Sequence, residues 1–182
     1  MLQITIPAEE YWDASKQEFV YAGEKTIQLE HSLISLSKWE SKHQKVFLDK
    51  GEKSVEELID YIKCMTITQN VDSSVYLRLT EQNFKDINDY IENPMSATFF
   101  SEDKINRKAP SREKVTAEII YYWMVTLQIP FECQKWHLNR LLTLIRVCSV
   151  KNQPPKKMSK RQIMSRNSAL NAARRKQLGT KG

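Results

Sequence analysis

The segment from Val115 to Leu127 leaves almost no polar face. Val115, Ile119, Tyr122, Trp123, Val125 and Leu127 surround the helical circumference, so a helix here has to be covered by other elements. A second apolar stretch follows at once after Ile129-Pro130, with Phe131, Trp136, Leu138, Leu141, Leu142, Leu144, Ile145 and Val147. Ser111 is the expected cap of the first helix and Pro130 sits in the first turn of the second. Such a tight connection predicts an antiparallel helical hairpin that organises the core.

The rest of the chain supplies the cover. Leu2, Ile4 and Ile6 alternate with Gln3 and Thr5, which reads as a strand that Pro7 stops. Phe19–Tyr21 and Lys25–Glu30 read as two more strands around a turn at Ala22-Gly23-Glu24, giving a sheet of about three strands. Ser32 opens a helix to Lys42. Ser54 with Glu57 is a capping box ahead of Leu58, Ile59, Ile62 and Met65, and Thr80 with Asn83 caps a helix that ends before Pro94. Ser73–Leu79 reads as a short helical turn, and residues 95–110 as a loop. The expected fold is α+β and predominantly helical. A small N-terminal antiparallel sheet (1–31) precedes a helical core domain (32–150) and a basic C-terminal helical tail (151–182).

Charge separates that tail from the body. Residues 151–182 hold six Lys, four Arg and no acid, whereas the other 150 residues hold 18 bases against 22 acids. Asn152-Gln153-Pro154-Pro155 is a linker. Ser159–Leu178 follows with good helix formers but a thin apolar stripe (Ile163, Met164, Leu170, Leu178), as expected of an exposed or partner-dependent helix or of a tail disordered alone. Acid-free basic tails meet nucleic acid, anionic membrane surfaces or acidic proteins.

No constellation for catalysis emerges. Four glycines provide no phosphate loop. Cys133, His137 and Cys148 share a helical face, but 133 and 148 lie roughly 22 Å apart along a helix, too far for one ion. His31 and His43 have no zinc spacing, so neither metal nor cofactor is expected. Cys133 and His137 with Glu132 lack the frame of a thiol nucleophile. Glu56-Glu57-Asp60 suits a helix N-terminus, and Glu102-Asp103 falls in a loop. Glu118, inside the apolar helix, calls for Arg140 or Arg146 as a partner. Three Cys, an odd count, are expected as reduced thiols of a cytoplasmic protein. No apolar run is long enough for a membrane span, and residues 1–7 lack a signal-peptide pattern.

Three segments carry a resemblance: Leu29–Glu40 (LEHSLISLSKWE), Glu118–Leu142 with EIIYYWM and IPFECQKWHLNRLL, and Lys156–Ser159 with Asn167–Gly179. Over nearly its whole length the chain resembles the tail assembly chaperones of long-tailed, siphovirus-type bacteriophages of Gram-positive hosts. The resemblance implies a non-enzymatic assembly factor. It would bind the tape-measure protein in the host cytoplasm and keep it soluble until tail-tube subunits polymerise around it. It would then be absent from the mature virion. The tail-tube protein and other copies of the chain are further candidate partners. Two other readings stand beside it: a structural virion component (head–tail connector or minor tail protein), and a nucleic-acid-binding packaging factor acting through the tail.

The resemblance assigns no individual binding residues, so these come from the sequence. Trp39, Tyr122, Trp123, Trp136 and His137 are the candidates for an apolar partner groove. Lys156, Lys157, Arg161, Arg174 and Arg175 are the candidates for an electrostatic arm.

Overall fold

The computed structural model describes residues 1–13, 17–49, 51–100, 114–152 and 159–180. It has the α+β, mostly helical architecture expected, and it divides into two compact units, Met1–Ser149 and Val150–Gly182. The strands and the helices up to Ser149 share the first unit.

Four strands build one long antiparallel ribbon. β1 (Leu2–Ile6) pairs with β4 (Lys25–Leu29), and β2 (Glu9–Asp13) pairs with β3 (Glu18–Ala22). The registers Ile4↔Ile27 and Trp12↔Phe19 follow the same pairing rule, so no residue is inserted where the ladder breaks at Pro7-Ala8 opposite Gly23-Glu24. Pro7 has no N–H to offer there. The Arg78 Nη1 group donates instead to Pro7 O (2.9 Å) and Ala22 O (3.2 Å), satisfying carbonyls that the break leaves open. The expected turn at Ala22–Glu24 is therefore this break, and the chain reverses between Asp13 and Glu18. In the proximal half Ile4, Ile6, Ile27 and Leu29 are buried. On the opposite face Thr5 and Thr26 pair through their hydroxyls at 3.2 Å.

The helices follow the ribbon in the chain. α1 (Leu33–His43) and α2 (Val55–Met65) follow the expected caps, with reciprocal Ser32–Ser35 and Ser54–Glu57 bonds. A 3₁₀ turn (Ser73–Arg78) leads to α3 (Glu81–Glu92), capped by Thr80 and Asn83. α3 lies on β1, where Asn83 Nδ2 donates to Thr5 O at 3.3 Å. The chain after α2 adds to the ribbon end: Ile67 N–H donates to Gln28 O and Glu30 N–H to Met65 O.

The apolar C-terminal half departs from expectation. α4 runs only from Ala117 to Thr126, and residues 114–116 are not helical. Ser111, the expected cap, lies outside the described residues. Thr116 occupies the N-cap but makes no side-chain cap bond. The buried Glu40 carboxylate of α1 does that work, accepting Ala117 N–H at 2.7 Å and Phe47 N–H at 3.0 Å. After Pro130 the chain forms a 3₁₀ turn (Phe131–Lys135) and a β-bridge between Ser32 and His137 before α5 (Leu138–Lys151) begins. Leu138 N–H donates to His31 O (2.7 Å), which fixes that start. The expected tight hairpin is thus replaced: α4 packs mainly against α1, which also contacts α2 and the 3₁₀ turn.

The second unit is α6 (Lys160–Leu178). Ser159 and Gln162 form its capping box, and Gly179 closes it in the left-handed region at φ 65°. No residue of α6 is buried. Among the described residues no helix is long and apolar enough to cross a membrane.

Candidate functional site

Among the described residues, an apolar cleft opens between α2 and α3. Each helix carries an apolar stripe broader than its contact with the core: Leu58, Tyr61 and Ile62 on α2, and Phe84, Ile87 and Ile91 on α3. Tyr61, Ile62 and Ile87 are buried and form the floor with Phe47. Phe84 and Ile91 are half-buried on one wall, and Leu58 is 39% exposed on the other. The cleft has a volume of about 380 Å³. Lys53 stands at its rim with Nζ 4.8 Å from the centre of the Phe47 ring. Asn88 also lines it, and the Tyr61 hydroxyl is engaged by His31.

Aromatic stacking and ion pairs hold the floor in shape. Phe47 stacks on Tyr61 with centroids 3.8 Å apart, and Trp39 meets Phe47 edge-on at 5.0 Å. Behind the floor, Asp60 of α2 pairs with Lys42 of α1 and with Lys63 of its own helix (3.5 Å), and the His43 ring lies 3.3 Å from its carboxylate. The hydrogen bond from Lys42 holds the Asp60 carboxyl below its ordinary pKa. Likewise Lys45, then the Ser54 backbone, holds Glu57 below the usual carboxylate range.

The expected groove residues do not come together. Trp39 is 1% exposed, and its indole N–H donates to Glu57 O at 2.9 Å, so it is a core tryptophan. His137 is buried as well. Its Nε2 lies 3.0 Å from Tyr90 O. Trp123 and Trp136 are half-buried against the core, Trp136 beneath the Arg140 guanidinium at 4.4 Å. Tyr122 alone is open to solvent, at 66%, on an outward strip of α4 with Val125. Arg161, Arg174 and Arg175 are exposed on α6, while Lys156 and Lys157 lie outside the described residues.

Other expectations change for local reasons. Glu118 is exposed in the first turn of α4, where its charge suits the helix dipole, and it requires no buried partner. Arg140 and Arg146 stand over Trp136 and Phe100 instead. Among the described residues no three His, Cys, Asp or Glu side chains gather as a metal site. The Cys133 thiol is buried on the 3₁₀ turn. Burial raises the Cys64 thiol pKa above its ordinary value, which leaves it protonated and unreactive at neutral pH.

A buried polar cluster joins four segments beneath the ribbon end. The Tyr61 hydroxyl lies 2.6 Å from His31 Nδ1, and the His31 and His137 rings meet at 5.1 Å. Tyr90 donates to Glu30 Oε1 at 2.7 Å. Burial, then the neighbouring His137, lowers His31 to a pKa of about 3. Burial also lowers His137, and the hydrogen bond to the Tyr90 carbonyl opposes it. Both imidazoles are neutral at pH 7. Their place is interior scaffolding that sets the relative positions of α2, α3 and α5.

In the sequence Leu58, Phe84 and Ile91 lie on the apolar faces of two amphipathic helices. Their signal was the width of those faces, since each extends past what one neighbouring helix can cover. Compared with models of protein families, with curated proteins and with solved structures, the chain matches none.

Proposed function

We propose that the chain is a non-enzymatic phage tail assembly chaperone whose α2–α3 groove holds an amphipathic helical segment of the tape-measure protein. The observation that carries this reading is the groove itself. It is an open apolar cleft between the stripes of two helices, with Lys53 at its rim and, among the described residues, little polar lining. A long helical client offers anchors at i, i+3, i+4 and i+7, and a groove of this kind receives such a ridge. The sequence resemblance to tail assembly chaperones supplies the identity of the client.

The energetics suit a transient holdase. Covering one Leu- or Phe-sized side chain on each partner stabilises by roughly 1.5–3 kcal/mol, so two or three anchors give a weak contact once association costs are met. Many weak copies along one client hold it through avidity and still release it when tube subunits compete. The exposed α6, acid-free and basic, is left for a further contact.

The test is co-expression with the tape-measure protein of the same genome, comparing the wild type with Leu58→Asp and Ile91→Asp. The expected result is soluble, co-eluting client with the wild type and aggregated client with either variant. A client that stays insoluble and unbound with the wild type would overturn the chaperone reading. A client held equally well by all three would move the site away from the groove.

A further inference from the structure

The distal half of the β-ribbon carries a surface that the groove reading leaves unused. Among the described residues, β2 and β3 pair with each other and pack extensively on no other element. Strand alternation places Glu10, Trp12, Phe19 and Tyr21 on one face. Trp12 and Phe19 are directly cross-strand, edge-on at 5.0 Å. Trp12, Phe19 and Tyr21 are 53%, 67% and 72% exposed, which forms an open aromatic face on a projecting ribbon. Glu10 shares this face, Glu9 and Glu18 lie on the other face of the same two strands, and the hairpin sequence is acidic as a whole. Residues 8–24 hold Glu9, Glu10, Asp13, Glu18 and Glu24 against the single cation Lys16.

The complementary surface is α6. It carries six Lys and Arg and no acid over 19 residues. Ile163 and Leu170, two turns apart, define a narrow apolar stripe, with Arg174 one turn further along it. All of these side chains are exposed. A lone helix of this length is marginal in water and gains from a partner.

We propose that the aromatic face of the acidic β2–β3 hairpin receives α6 of a second copy of the chain. Three features fit. The charges are opposite in sign. Arginine guanidinium groups stack favourably on Trp, Tyr and Phe faces. Both surfaces stand exposed in the single chain, so the pair is available between copies. The lengths also match, since a strand of five residues spans about 17 Å and α6 about 28 Å, enough to lie along the whole hairpin. The contact joins two different surfaces. Two copies can exchange α6 reciprocally in a closed dimer, and a one-way contact extends association beyond a dimer as concentration rises. The contact needs no client, so its failure leaves the groove reading intact.

The experiment is sedimentation velocity on the full chain over a concentration series, at about 50 mM and about 500 mM salt. One variant reverses the hairpin (Glu9→Lys, Glu10→Lys, Glu18→Lys), and another reverses the helix (Lys160→Glu, Arg161→Glu, Arg166→Glu, Arg174→Glu, Arg175→Glu). A third, Tyr21→Ser, removes one exposed ring and no charge. The expected result is concentration-dependent association of the wild type that weakens at least tenfold in high salt. Each reversed variant alone stays monomeric, an equimolar mixture of the two associates again, and Tyr21→Ser weakens association. All changed positions are exposed, and unchanged far-ultraviolet circular dichroism certifies each fold. A wild type that is monomeric at every concentration would overturn the proposal, as closure of α6 onto its own hairpin would produce. So would a mixture of reversed variants that fails to associate.

Discussion

Acid should loosen the body before its carboxylates protonate, and His31 is the reason. The ring is 2% exposed, contacts Tyr61 through Nδ1 at 2.6 Å and lies 5.1 Å from His137. Its pKa is about 3 in the fold, against about 6.5 in an unfolded chain. The folded pKa is depressed, so the unfolded state binds the proton more readily. Stability is then complete above about pH 6.5 and is lost as pH falls below it. Between pH 7 and pH 5 this one group removes about 2 kcal/mol, at a slope approaching 1.4 kcal/mol per pH unit. His137 is shifted in the same direction and adds to the loss. Urea denaturation at pH 7, 6 and 5 measures it. At a typical m-value of about 2 kcal/mol per M, the wild-type midpoint falls by roughly 1 M or more. His31→Asn keeps an acceptor near Tyr61 and cannot take the proton. Its midpoint is lower at pH 7, but its pH slope is flatter by His31's share. Parallel lines for the two proteins across this window would refute the reasoning.

Further outcomes follow from the same contacts. Glu40→Ala removes the acceptor for two buried N–H groups, Phe47 and Ala117, and should cost about 2–4 kcal/mol, read as a drop in Tm with loss of α4 helicity. Arg78→Ala uncovers the carbonyls at the ribbon break and should destabilise by about 1–3 kcal/mol, with the fastest amide exchange appearing in β2 and β3. Trp39→Phe loses the bond to Glu57 O and part of the stack on His43, and should cost about 1–3 kcal/mol of stability while leaving client capture by the remaining folded protein unchanged.

The parts of the fold legible in the sequence are those whose causes are local. Ser32, Ser54 and Thr80 cap their helices through a partner three residues away, so the starts of α1, α2 and α3 can be read directly. The start of α4 cannot, because its cap is a carboxylate 77 residues upstream. β2 was missed for a related reason. Its Trp12 meets Phe19 across the ribbon and faces solvent, so the burial that usually writes a strand pattern is lacking there. The register of the ribbon shows only once both ladders are seen to share one pairing rule.

The candidate site was less legible than the fold. Large aromatics suggested the groove, yet in this chain Trp39 fills the core and Trp123 and Trp136 line it. The open apolar surface comes from ordinary residues, Leu58, Phe84 and Ile91. Their stripes look the same in sequence whether they face a neighbouring helix or solvent. Only the spacing of α2 and α3 decides that Leu58 stays uncovered. The basic tail was fully legible as charge, and its one long helix follows from Ser159, Gln162 and Gly179.

The central claim is that a client helix lies between α2 and α3. The most direct measurement is photo-crosslinking within the purified complex with the tape-measure protein, placing a photoreactive side chain at Leu58 in the groove or at Tyr122 on the outer strip of α4. Covalent capture of the tape-measure protein from position 58, with little from position 122, is the result the account predicts. A complex that forms normally yet crosslinks from 122 and not from 58 would contradict it.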